Sequence, residues 1–86
     1  MPLGEGETGT MTANDYLRMI QDRRRFHLRK LVAKLGSQIA VEMAAGMRKG
    51  HISQYLLGKR RITEDSARRI EQHNGLALGS MDGETV

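Results

Sequence analysis

Helical periodicity in this chain never runs far before a glycine stops it. Apolar residues recur at three- and four-residue spacing in several stretches, and Gly36, Gly46, Gly58 and the pair Asn74-Gly75 close them. Glycine takes the left-handed conformation that ends a helix without steric cost, so each marks a stop. No segment shows the alternation expected of a strand. A chain of 86 residues divided in this way predicts an all-α fold, a small bundle of four to five short helices around a modest core.

The stops and starts give the order. "MPLGEGETGT" has no periodicity and carries acids, glycines and Pro2, so residues 1–11 are expected to be a disordered leader. One domain is expected over 12–82, with a frayed tail over 83–86. Thr12 followed by Asp15 resembles a capping box, and Leu17, Ile20, Leu28, Leu31, Val32 and Leu35 then recur at helical spacing. Arg23-Arg24-Arg25 interrupts that stripe, which leaves one long helix or two short ones open. Ser37 offers a cap to "QIAVEMAA", with Ile39, Val41, Met43 and Ala44 or Ala45 as its apolar face. Thr63 caps "EDSARRIEQH", whose Glu64 and Asp65 suit a helix N-terminus, and Ile62 can staple onto Ala67. Leu76, Leu78 and Met81 are expected to lie on the core. No internal repeat is visible.

Between these lies "GHISQYLLGKRR", residues 50–61, a stretch with two faces. At about 100° per residue, Ile52, Tyr55 and Leu56 fall on one side, and Gly50, Ser53, Gln54 and Leu57 on the other. Three cations follow Gly58. The wider charge pattern agrees: Tyr16 to Arg61 holds twelve Lys and Arg against two acids, while the remainder holds two Arg against eight acids. Such segregation points to a polyanionic partner for the central segment.

Other classes are disfavoured. There is no cysteine, and the three histidines lack metal-ligand spacing, so disulfide and zinc scaffolds are not expected and no cofactor is implied. No apolar run approaches the ~20 residues of a membrane span, and no secretory signal opens the chain, so the expectation is a cytoplasmic protein with no membrane partner. Aromatic residues make up only 3%, too few for a single-strand stacking platform. No nucleophile–base pattern, paired carboxylates or phosphate loop suggests an enzyme.

A short helix, a glycine turn and a second short helix have helix-turn-helix spacing. The run "GSQIAVEMAAGMRKGHISQYLLGKRRI", extended by "SARRIE" and "GLALGSMD", resembles the lambda-repressor-like (Cro/C1-type, XRE) helix-turn-helix domains of phage and bacterial regulators. The likeness covers about Arg23 to Asp82. It implies a sequence-specific, double-stranded DNA-binding transcriptional regulator, a repressor of phage or mobile-element type that occupies an operator as a homodimer on a pseudo-palindrome.

Carried over position by position, the resemblance assigns base contacts to Lys49, Gly50, His51, Ser53 and Gln54. Gln54 suits adenine N6 and N7, and Lys49 suits guanine O6/N7 or a phosphate. Leu57 is assigned to a thymine methyl, with packing on a partner protein as the alternative. Gln38, opening the first motif helix, is assigned to a phosphate while bracing the second; Arg48, Lys59, Arg60 and Arg61 are assigned to phosphates. Protonation of His51 would add a cation at the groove. Arg23, Arg24 and Arg25 could form a second backbone contact, a minor-groove arm or a solvated face. Two departures stand out. Glu42 occupies a position where the family has a small residue, so either Glu42 leans outward or the helix shifts slightly. Arg48 replaces the usual capping Ser or Thr, and Gly50 is expected to weaken the helix start. The rival reading is an antitoxin-like or adaptor module on the same fold, whose partner is protein.

Overall fold

The computed structural model describes residues 11–85; all of the expected leader but Met11, and Val86, lie outside the described residues. Among the described residues the fold is all helical: α1 (Ala13–Leu35), α2 (Gln38–Ala45), α3 (His51–Leu56), α4 (Glu64–His73) and a 3-10 turn (Ser80–Asp82). The arginine run does not break α1. Thr12 and Asp15 make the reciprocal capping box at its start, and Gly36 closes it in the left-handed conformation. Ser37 and Thr63 cap α2 and α4 by accepting from the backbone three residues on.

The core draws on every element. Leu28 and Leu31 of α1 meet Val41 and Ala45 of α2, Ile52 and Tyr55 of α3, Ala67 and Ile70 of α4, Met81 of the 3-10 turn, and Ile62 from the segment before α4. The largest side chains sealed almost completely from solvent are Leu28, Val41, Ile52, Ile62, Ile70, Met81 and the carboxylate Glu71. Full burial of an aliphatic side chain is worth about 1.5–3 kcal/mol, so this small set dominates the domain's stability.

Five apolar expectations fail, one of them Leu35, 38% exposed at the end of α1. Leu17 is half exposed, because α1 begins two turns before the body it packs against. Ile39 and Met43 point outward from α2, whose short inner face is filled by Val41 and Ala45. Leu78 is 83% exposed in the loop before the 3-10 turn. Leu56 only borders the core, and Tyr55 is the deeper residue, its hydroxyl donating to Ser66 Oγ at 3.1 Å.

The three arginines of α1 also take separate roles. Arg24 is buried: its Nε donates to Asp82 Oδ1 at 2.6 Å, its Nη1 to the Ile62 carbonyl at 2.8 Å, and its Nη2 to Glu64 and Asp82. Its guanidinium tethers the 3-10 turn and the start of α4 to α1, so it is no DNA arm. Arg23 donates to the Asp82 carbonyl, and Arg25 pairs with Asp22 one turn away.

A repeat absent from the sequence reading emerges from the backbone. Residues 37–52 and 66–81 share Ser, Glu, Gly and Gly at equal spacing, with Val41 matching Ile70 and Ile52 matching Met81 in the core. Gly46 and Gly75 have φ +66 and +67, and Gly50 and Gly79 have φ +90 and +85. The N–H of Met47 returns to the Glu42 carbonyl, and that of Leu76 to the Glu71 carbonyl. Each unit is a helix, a glycine-bounded loop and a second helical turn.

Candidate nucleic-acid interface

The first unit sets up α3. Glu42 does not lean outward: it is 4% exposed, and one carboxylate oxygen accepts from Gly50 N at 2.8 Å and Ile52 N at 3.2 Å. These are orphan N–H groups at a helix start, and a charged acceptor meets them strongly. The cap that Arg48 cannot supply therefore comes from the preceding helix. Gly50 lies outside α3, as its N-cap, at φ +90; no helix propensity is lost there, and a side chain would strain it. The bracing expected of Gln38 belongs to Glu42. Gln38 is exposed at the first position of α2 and forms no hydrogen bond to α3 among the described residues.

With its start held, α3 turns Ile52 and Tyr55 inward as expected. Outward stand Gln54, exposed, and Leu57, 66% exposed, with Ser53 half-buried between them. His51 is half-buried. Its ring stacks on Tyr55 at 5.9 Å between centroids, and its Nδ1 is buried without a hydrogen-bond partner. It thus lies along the helix toward Tyr55 rather than standing free beside Gln54.

The cations flank both ends of α3. Arg48 and Lys49 are exposed in the loop before it, and Lys59, Arg60 and Arg61 in the loop after it. None of the five forms an ion pair among the described residues, whereas Arg24, Arg25 and Arg68 all do. The second loop is anchored at both ends. The N–H groups of Lys59 and Arg60 return to the Gln54 carbonyl at 3.0 and 3.2 Å, and Arg60 Nε donates to Gln54 Oε1 at 2.9 Å. At the far end Ile62 is sealed in the core, and its backbone exchanges two hydrogen bonds with the Gln21 amide, at 2.7 and 2.9 Å. Arg24 adds a third at that carbonyl.

Sequence reasoning missed Gln21, Arg24 and Glu42 as positioning residues. Each acts on backbone far along the chain, and no local pattern reports such a contact. Glu42 alone left a signal, as a carboxylate on a face that should be apolar.

The arrangement can do one thing well. Gln54 keeps both amide hydrogens and one lone pair of Oε1 available while holding Arg60, so donor and acceptor stand side by side beside a fixed cation. Around it the five cations sit in two loops whose backbone hydrogen bonds fix at least the second. No cluster of His, Cys, Asp or Glu able to hold a metal occurs among the described residues, and no helix there is long and apolar enough to cross a membrane. No family model, curated protein or solved structure matches this chain.

Proposed function

We propose that the chain is a sequence-specific double-stranded DNA-binding regulator of transcription, a repressor of phage or mobile-element type that works by occupying an operator rather than by catalysis. The observation that supports this most is the two-sided α3: Ile52 and Tyr55 anchor it in the core, Gln54 and Leu57 are offered outward, and uncompensated cations stand at both ends. That layout matches the division of labour in duplex recognition, where backbone contacts position the protein and base-edge contacts specify. Gln54 reads adenine N6 and N7, Lys49 reads guanine or a phosphate, and Arg48, Lys59, Arg60 and Arg61 hold phosphates. Two copies on a pseudo-palindrome belong to the proposal on the strength of the resemblance.

A protein-binding reading, antitoxin-like or adaptor, is favoured by one observation: Ile39 is 55% exposed, Met43 76% and Leu57 66%, large apolar groups left uncovered near the motif. Salt dependence separates the two. Duplex binding should weaken as salt rises with a log–log slope set by the phosphates contacted, and Arg61→Ala should flatten that slope by about 1. Binding to duplex that is absent at low salt, or indifferent to Arg61→Ala, would favour the protein partner.

A further inference from the structure

A second concave site lies away from α3, between the C-terminal half of α1 and the 3-10 turn. It encloses about 340 Å³, and Leu31, Leu76 and Met81 form its apolar floor. Lys30 and Lys34, one helical turn apart on α1, stand over that floor with His27. Neither lysine forms an ion pair among the described residues, and Lys30 rests 5.5 Å from the Phe26 ring centroid. No carboxylate lines the site among the described residues. His27 is already committed, donating from Nε2 to the Gly83 carbonyl at 3.1 Å, which fixes one wall. Ser80 also lines the site.

From these features we infer that this cavity binds a small amphipathic carboxylate, an apolar chain or ring bearing one anionic head. Its volume falls at the lower end of small-ligand sites, and its lining has their usual form, mostly apolar with few polar groups. The body of the ligand covers Leu31, Leu76 and Met81, and the head meets Lys30 and Lys34. Two flexible ammonium groups supply point charges to that head, and no arginine among the described residues lines the site. The site shares no residue with the proposed DNA interface, so the inference stands apart from that reading.

The test is an NMR titration of the amide signals of the full chain. Octanoate, kept below its micelle concentration, should shift Leu31, Leu76, Ser80 and Met81 together and saturably. Acetate, the head without the body, and octanamide, the body without the charge, should not saturate these signals. Lys30→Gln with Lys34→Gln, both at exposed positions, should weaken octanoate binding by about tenfold while leaving the fold's signals in place. Non-saturating or scattered shifts with octanoate would overturn the inference, as would equal binding by the double variant. If the four amides instead shift on simple dilution of the protein, a second copy occupies the site; if only a peptide rich in Glu and Leu saturates them, the site docks protein. Either result sinks the small-carboxylate assignment.

Discussion

In residues 37–52 and again in 66–81, a helix carries a buried glutamate whose carboxylate reaches forward to the N–H groups eight and ten residues on. Glu42 holds Gly50 and Ile52; Glu71 holds Gly79 and Met81, both at 2.8 Å. The backbone device is the same, and the surroundings differ. Arg68 Nη2 donates to Glu71 at 3.0 Å, while Glu42 has no ion pair among the described residues and relies on the two N–H groups alone. The loop of the first unit is "GMRKG" and that of the second "GLALG". The first unit ends in α3 with Gln54 facing solvent; the second ends in a 3-10 turn whose Asp82 is tied to Arg24 and Arg68. One supersecondary unit thus serves once as a presented surface and once as a docked strut. Side-chain chemistry on the loop and the last turn decides which.

The largest effects should come from the matched apolar anchors. Ile52→Ala and Met81→Ala should each cost about 2–5 kcal/mol in denaturant unfolding, since both side chains are almost wholly buried. In a domain of this size that is a large part of the total. If Met81→Ala were near neutral while Ile52→Ala were severe, the second unit would not be part of the cooperative core, and the equivalence of the two units would fail.

Next come the two carboxylates. Glu42→Ala strands two backbone donors and should cost about 1–3 kcal/mol for each that stays dry. Glu42→Gln keeps an acceptor and should recover much of that loss. Glu71→Ala also removes a partner of Arg68 and should be the more costly of the alanine pair. Amide exchange at Gly50 and Ile52 should quicken in Glu42→Ala, and at Gly79 and Met81 in Glu71→Ala. Exchange that quickens everywhere equally in both variants would mean that neither carboxylate acts locally.

The smallest effect concerns acid. The Arg24 hydrogen bond holds the Asp82 carboxyl below the usual range, with the charges of Arg24 and Arg68 acting the same way against partial burial. A carboxyl lowered in the folded state adds stability that is complete above the ordinary value of about 3.9 and disappears as pH falls through the lowered one. Asp82→Asn should therefore be less stable than the parent at pH 7, with the gap closing as pH drops below about 4. A gap that stays constant with pH would remove Asp82 from the docking of the second unit.

What could be read from the sequence was whatever acts over one helical turn. Thr12, Ser37 and Thr63 cap because a side-chain oxygen reaches the N–H three residues on, and Gly36 and Gly46 stop helices by their own backbone freedom. The two faces of α3 followed from its periodicity, and Ile52 and Tyr55 are buried as that requires. Contacts across 38 to 59 positions were not legible: Arg24 was one of three arginines in a row, with nothing local to single it out from Arg23 and Arg25. The repeat was hidden because only four of its sixteen positions are identical; its signature is the spacing of Glu and glycine, which matters only once the carboxylate is seen to reach the backbone. Ile39 and Met43 misled for the opposite reason, since helical spacing cannot tell a core face from a face that stays uncovered.

If α3 and its flanking cations read duplex DNA, as proposed, selection of bound sequences from a random duplex pool will reveal it. The parent chain should enrich a defined motif, and Gln54→Ala should lose the base preference at one position in each half-site, with ~1–3 kcal/mol less specific affinity. Enrichment of no motif by the parent, or of an unchanged motif by Gln54→Ala, would contradict the assignment of α3 as the reading helix.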